Sequence, residues 1–488
     1  MHTLPLHEPA FAALPDHCYA RVAFEPLHNP HWVAANRRFA EELGLPDDFF
    51  DRAATLSALG GNAEDYPVRP LAGVYSGHQF GIYVPQLGDG RAASIGSYTD
   101  SDGVDWEWQL KGAGKTPFSR FADGRAVLRS GIREYLASEA MHGLGIPTTH
   151  ALALVGGSNP VYREQQETAA VLTRLSPSFI RFGHFEYFHH KKQYDTVKAL
   201  ADFLIKHHYP DCAGADRPYV ALLGEIGRRT ACLAAGWQCA GFCHGVMNTD
   251  NMSVLGLTID YGPFGFLDAY DRYHICNRSD KQGRYAYNRQ PQIAQWNLAK
   301  LASCFATLCS EQDLLDVLNR FPEDFQTAYE EKMRRKLGLD TVQNDDAELF
   351  ADLFTALQSR RVDFTLFFRY LADVSNNHAD PLPPHLLSLF RGPTESFLLW
   401  TGRYRRRLRL ENSDPIRRKT RMNAANPLYT LRNHLLQQAI ERAQQGDFRE
   451  TERLQRCMAE PFTERPEFAD LAEPAPEWAA GICVSCSS

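Results

Sequence analysis

The sequence predicts an α+β protein built from a small strand-rich part followed by a larger helical one. Three observations lead there. Between about 71 and 190, short apolar–polar alternations are punctuated by Gly, Asp and Pro, the texture of strands joined by turns. Between about 191 and 445, apolar positions recur at helical spacing instead. Residues 1–70 carry mixed signals and read as an N-terminal extension packed on the body, whereas 446–488 form a C-terminal tail rich in Pro and Glu beyond 459. At 488 residues the chain can fill two or three packed domains.

Composition excludes some classes. A net charge of −7 is wrong for a general nucleic-acid binder, which needs a basic surface to neutralise phosphates. The start, Met1-His2-Thr3-Leu4-Pro5, has neither the basic nor the apolar region of a secretory signal, and no apolar run approaches a membrane span, so a cytoplasmic protein without membrane contact is expected. Eleven scattered cysteines suit reduced thiols better than a disulfide framework. Cys239-x3-Cys243-His244 lacks a second pair at zinc spacing and reads as buried structural thiols. Cys483-Val484-Ser485-Cys486 is either a redox pair, a bridge to a distant thiol, or two idle thiols on a tail.

In chain order, a helical pattern is expected from about Pro30 to Leu45, and Gly60-Gly61-Asn62 ends the next short helix. Asp89-Gly90 within Gln86-Leu87-Gly88-Asp89-Gly90-Arg91 predicts a hairpin whose backbone N–H groups could approach a phosphate. Asp105–Lys111 alternates strictly, so a half-buried strand should present Glu107, Gln109 and Lys111 on its polar face. Gly112-Ala113-Gly114-Lys115-Thr116 imitates the end of a P-loop, but residue 109 is Gln where the first Gly belongs and Pro117 blocks the helix, so it is not one. A helix follows from Ser130, its expected N-cap, to Gly143, and carries Glu134, 23 residues after Lys111. Thr148–Leu154 and Thr168–Leu175 are further strands, and Arg174 and Arg181 could clamp a polyphosphate bidentately. Helices are expected at Tyr194–His208, Tyr219–Gln238 and from Gln290 onward, with Ser253–Ile259 as a hairpin aiming Asp260. The basic run Arg403–Arg409, followed by Arg417, Arg418, Lys419 and Arg421, is a solvated helix face, a docking surface, or a set of partners for nearby acids.

One stretch carries chemistry. His244-Gly245-Val246-Met247-Asn248-Thr249-Asp250-Asn251, with Asp260-Tyr261-Gly262 nine residues on, aligns with the protein-kinase pattern H-R-D-L-x-x-x-N and D-F-G. Asn251 and Asp260 fall on the metal-binding positions, and Lys111 with Glu134 on the kinase Lys–Glu pair. The resemblance to kinase motifs implies a protein-kinase-like two-lobed fold: nucleotide lobe 71–190 and helical lobe 191–445, flanked by the two extensions. The catalytic Asp is replaced by Val246, which can accept no proton, while Asp250 stands directly before Asn251.

The motifs Tyr75–Gly81, Gln86–Arg91, Gln109–Gly114, Asp123–Ser130, Leu144–Thr149, His244–Met252, Ile275–Asp280 and Met422–Pro427 together resemble the selenoprotein O (YdiU) family. The resemblance covers nearly the whole chain, with cysteine in the place of the family's selenocysteine. It implies a kinase-like fold binding ATP in a flipped orientation and transferring AMP to Ser, Thr or Tyr hydroxyls of proteins with release of pyrophosphate; UMP transfer from UTP with manganese is also implied. By the same resemblance Gly88, Gly90, Arg91, Lys111, Asp123, Gly124, Arg174 and Arg181 contact the nucleotide. Asp250 is the proton acceptor, Asn251 and Asp260 hold Mg²⁺ or Mn²⁺, and Cys276 pairs with Cys486, beside Cys483. A monomer acting on protein substrates is expected. If Lys111, Arg174 and Arg181 grip the β- and γ-phosphates, the α-phosphate lies by the metal within reach of Asp250. Asp250 as a second metal ligand, a displaced-base phosphotransferase and a non-catalytic pseudokinase scaffold are the readings that compete with this one.

Overall fold

The computed structural model describes residues 4–62, 64, 66–390, 395–412 and 414–484. An antiparallel eight-stranded sheet organises the first 180 residues. Its order is Tyr19–Arg21, Leu71–Gly73, Ala92–Thr99, Asp105–Lys111, Gln166–Ser176, His150–Tyr162 and His31–Ala35, with Ala126–Val127 paired beside Gln166–Ser176. Strands from the first 70 residues thus stand at both ends of the sheet.

The two faces of the sheet are covered differently, and Asp105–Lys111 explains how. Trp108 and Leu110 point into a core with Phe39, Leu43, Phe49 and Leu59 from the N-terminal segment. Each such apolar side chain contributes roughly 1.5–3 kcal/mol by leaving water. The opposite face carries Glu107, Gln109 and Lys111, and these too are buried, so the expected half-exposed strand is covered on both sides. The Leu128–Gly143 helix packs on this second side through Ile132, Tyr135, Leu136 and Ala140, joining a core that continues into the helical region.

That region includes Phe182–His190, Tyr194–His208, Pro218–Ala240, Gln290–Cys304, Glu311–Leu337, Asp346–Arg360, Phe364–Leu371, Glu395–Glu411, Pro415–Ala425 and two further helices to Met458. Pro218 suits a first helical position, where no N–H is needed, and left-handed Gly241 (φ 68°) ends the same helix. Mixed helix and sheet is therefore the observed class. No helix among the described residues is long and apolar enough to cross a membrane.

Several local expectations need correction. His31–Ala35 is an edge strand and only Arg37–Glu42 is helical: Asn36 breaks the pattern by accepting from the Phe39 N–H as an N-cap. Val127, not Ser130, precedes the Leu128–Gly143 helix; Ser130 lies in its first turn and donates to the Val127 carbonyl. Asp89-Gly90 is not a hairpin tip. Residues 87–91 form a loop crossing back over Leu71–Gly73, with the Asp89 N–H donating to the Gly73 carbonyl (2.9 Å) and the Asp89 carboxylate accepting from the Gly73 N–H (2.9 Å). The local hairpin is instead Gly77–Gln79 with Ile82–Val84. Ser253–Ile259 does not pair with itself; it is held by bridges of Ser253 to Arg181 and Thr258 to Thr148.

The basic run resolves into internal pairing. Arg407 is buried against Asp346 (2.7 Å) and Glu411, Arg405 donates to the carbonyls of Ser375, His378 and Asp380, and Arg403 pairs with Asp352 and Glu348. Arg418 is buried and donates to the Val374 carbonyl. Cys239 and Cys243 are buried free thiols, as expected.

Candidate active site

The site forms where the polar sheet face meets the loops entering the helical region. Lys111 and Gln109 come from one strand, Arg174 from its neighbour, Glu134 from the helix beneath, and Arg181 from the N-terminus of Phe182–His190. Asp260 enters from the opposite side in a left-handed conformation (φ 60°), which a non-glycine residue holds only when its surroundings fix it.

Three cations converge on two carboxylates. Lys111 Nζ donates to Glu134 (2.6 Å) and to Asp260 Oδ1 (2.9 Å). Arg174 donates to Glu134 (3.0 Å) and to Asp260 Oδ1 (2.5 Å), while its Nε and Nη2 hold Gln109 Oε1 at 2.9 and 2.6 Å. Arg181 donates to Asp260 Oδ2 and to the Asp250 carbonyl (3.0 Å), and its guanidinium lies over the Tyr75 ring. Arg174 and Arg181 are 2% and 1% exposed. Burial alone would raise the Asp260 carboxyl, but Arg174, Arg181 and Lys111 outweigh it and hold the group well below the usual range. Burial pulls the Lys111 ammonium down despite its two acids. With Asp89 3.9 Å from Arg181, these three cations face three carboxylates, and the surplus a polyanion requires comes from the wider cleft, whose lining also holds Arg91 and Arg120.

Asp250 sits in the short turn Thr249–Asn251 and is 7% exposed. One carboxylate oxygen accepts from Gln79 (3.1 Å); the other, Oδ1, is buried without a hydrogen-bond partner. Desolvation pushes this carboxyl up to about 7. A Cβ built on Gly77 would stand 2.5 Å from that free oxygen, so the glycine gives the carboxylate its room. His244 is buried and held neutral by desolvation, its Nε2 bonded to the Ile259 carbonyl (3.1 Å), which ties this loop to the segment carrying Asp260. Asn251 spends its amide N–H on the Val246 carbonyl (3.0 Å), which leaves its amide oxygen for a cation.

Lys111, Arg174, Arg181, Asp250, Asn251 and Asp260 line one cleft of about 590 Å³, together with Gly88, Gly90, Arg91, Asp123, Gly124 and Val246. Phe118 packs so closely that a Cβ at Gly88 would meet its ring at 2.6 Å, and one at Gly90 its carbonyl at 2.8 Å. Arg91 stands exposed at the rim. Asp123 is not free: Arg163 holds it at 2.7 Å and lowers its carboxyl.

The oxygen donors Asp250, Asn251 and Asp260 are the hard ligands that Mg²⁺ or Mn²⁺ prefers, and the unpartnered Asp250 oxygen fits such an ion. Both Asp260 oxygens carry cationic donors, so Asp260 could hold such an ion only if those donors turned away from it.

Cys276 lies against Gly245 of the same loop and donates to the Cys243 carbonyl (3.4 Å). Val484 pairs with Asn277, so the tail reaches the residue next to Cys276; Cys483 is exposed, and Cys486 lies outside the described residues.

Reasoning from sequence did not single out Gln79 or Arg163, and gave the side chains of Gln109 and Asp89 no role at the site. Gln109 is already placed on the Lys111 face by the alternation of its strand, and only its bond to Arg174 is new. Gln79 reaches Asp250 across 171 residues and Arg163 reaches Asp123 across 40, with no local signal of either meeting.

The chain matches the family model described as protein adenylyltransferase SelO over residues 3–459. It is 49% identical to the protein nucleotidyltransferase YdiU of Burkholderia ambifaria, an alignment covering 98% of this chain and 95% of that one. The YdiU of Thioalkalivibrio sulfidiphilus is also 49% identical, with 98% of each chain covered. The chain belongs to the SelO family of protein adenylyltransferases.

Proposed function

We propose that the protein transfers AMP from ATP to Ser, Thr or Tyr hydroxyls of protein substrates and releases pyrophosphate, with UMP from UTP as a second donor. The observation that carries this reading is the buried Asp250 carboxylate with one free oxygen, set beside a cluster of three buried cations, while Val246 fills the place of the kinase base. Lys111, Arg174 and Arg181 turn to the β- and γ-phosphates, and Gly88 and Gly90 allow the close approach of the loop. The hydroxyl oxygen attacks the α-phosphorus, the bond from that phosphorus to the bridging oxygen of the β-phosphate breaks, and Asp250 takes the hydroxyl proton. The arginines neutralise the charge growing on the departing pyrophosphate. A Mg²⁺ or Mn²⁺ ion held by Asn251 and Asp260, when bound, supplies further neutralisation of that charge.

In this reading residues 71–190 and 191–445 are the two lobes of a kinase-like fold. The N-terminal extension packs on the body, and a redox bond between Cys276 and Cys486 is taken from the family resemblance alone. The chain acts as a monomer in the cytoplasm.

Incubation with α-labelled or γ-labelled ATP, followed by intact-mass measurement, tests the reaction. Label from the α-position with the added mass of AMP is expected. Label from the γ-position alone overturns the proposal in favour of phosphate transfer, and no label on any protein favours a scaffold.

A further inference from the structure

Apart from the nucleotide cleft, a second cavity of about 610 Å³ opens between the ends of four helices, and the two share no lining residue. The helices Pro218–Ala240, Glu311–Leu337 and Pro415–Ala425 end there, Phe364–Leu371 begins there, and the Leu144-Gly145-Ile146 turn closes one side. Its size lies within the range of small-molecule sites.

The charges in its wall are unbalanced. Lys332, Arg335, Lys336 and Arg421 line it, against Asp340 alone. Asp340 is taken by Arg421 (2.6 Å), and Arg335 is paired with Glu331 outside the cavity (2.5 Å). Among the described residues no carboxylate lies within ion-pair distance of Lys332 or Lys336. Lys336 is only 6% exposed and sits between the fully buried Met333 and Leu337. Its ammonium meets the Phe368 ring at 4.1 Å and the Phe364 ring at 5.6 Å, and nothing anionic. A cation–π contact offsets only part of the cost of withdrawing an ammonium from water. Burial draws the Lys336 ammonium down to about 8, the mark of a charge without compensation. The rest of the wall is apolar: Leu144, Ile146, Leu339, Phe364, Pro427 and Phe462.

We propose that this cavity is a binding site for an amphipathic organic anion, whose carboxylate or phosphate pairs with Lys336 and Lys332 while its apolar body lies on Leu144, Ile146, Leu339 and Phe462. The anion supplies the missing partner of a buried lysine, and the apolar wall selects against inorganic ions. Lys336 is the anchor because it is the more deeply buried of the two lysines.

Isothermal titration of the full-length protein with dodecanoate, dodecyl phosphate and dodecanol, all below micelle-forming concentration, tests this. Saturable binding of at least one of the two anions is expected, with dodecanol at least tenfold weaker; comparing the anions identifies the headgroup. Lys336→Met keeps the length and removes the charge, and should weaken the anion at least tenfold while leaving dodecanol unchanged. Lys332→Met, at a more exposed position, should weaken it less and serves if Lys336→Met does not fold. The proposal fails if dodecanol binds as well as the anions, if none of the three saturates, or if the folded lysine variants bind the anions like the unaltered protein.

Discussion

Two regions of this molecule are crowded with cations, and they do opposite things with them. Along Glu395–Glu411 four arginines meet their own acid or carbonyl: Arg403 has Asp352, Arg405 three backbone oxygens, Arg407 Asp346 and Glu411, and Arg409 the Asn376 carbonyl. In the cleft, Lys111, Arg174 and Arg181 come from separate elements and share Glu134 and Asp260. The first arrangement spends its charge on structure; the second gathers its cations against a cavity. A run of arginines in sequence therefore says less about ligand binding than scattered single cations that the topology draws together.

The largest effect that would test this contrast is expected at Asp250. Asp250→Asn keeps the shape and removes the proton acceptor, so transfer should fall by about 10²–10⁴-fold while nucleotide affinity stays within a factor of a few. Quantifying nucleotidylated protein by mass against time, alongside equilibrium nucleotide binding, separates the two; an unimpaired rate would deny Asp250 its role.

Next come paired substitutions in the two regions. Arg407→Met strands the buried Asp346 carboxylate and should cost about 3–5 kcal/mol in denaturant unfolding, and Arg174→Met should cost less, because Lys111 and Arg181 still pair with Glu134 and Asp260. Arg174→Met alone should also abolish nucleotide binding. If Arg407→Met weakens nucleotide as much, the division between structural and functional arginines collapses.

A smaller but more local test is Gly77→Ala. Its methyl would stand 2.5 Å from the free Asp250 oxygen, and a displacement of about 1 Å at a reacting group can cost roughly 10²-fold. The rate should drop with little change in melting temperature; a rate equal to that of the unaltered protein would mean that the carboxylate need not stay where it is.

The last test concerns a carboxylate without any cation. Glu107 is on the same strand face as Lys111, and burial pushes its carboxyl up to about 8. The unfolded chain releases this proton near the ordinary value of ~4.3, whereas the folded protein holds it, so stability is lost as pH rises between roughly 4 and 8. The slope from this group is at most about 1.4 kcal/mol per pH unit, and Glu107→Gln should remove it. Unfolding curves of the two proteins at pH 5 and pH 8 would reveal the difference, and identical pH dependence would contradict it.

The legible features were those written in local periodicity or fixed spacing. Asp105–Lys111 and Tyr194–His208 fell where the alternation and the helical repeat placed them. Lys111 and Glu134 form the ion pair that their spacing suggested, and Asp260, expected on a metal, joins Lys111 as well. The edge strand His31–Ala35 was misread because its apolar spacing fits a helix too, and only pairing with His150–Tyr162 decides the matter. Pairing also turned 87–91 from a hairpin tip into a crossing loop, since Leu71–Gly73 was not recognised as the neighbour of Ala92–Thr99. Lys336 carried no signal at all; a lysine in the last turn of a helix is ordinarily solvated, and here other helices close over it.

The position of the first 70 residues has a consequence for how the chain assembles. Tyr19–Arg21 waits for Leu71–Gly73, and His31–Ala35 cannot pair until His150–Tyr162 exists. The earliest strands made are thus among the latest to find their places, and non-local pairing of this kind slows folding. Until then both borders of the growing sheet are open to other chains. Shortening the amino terminus would therefore harm yield and solubility through two exposed borders at once, even where the catalytic residues are untouched.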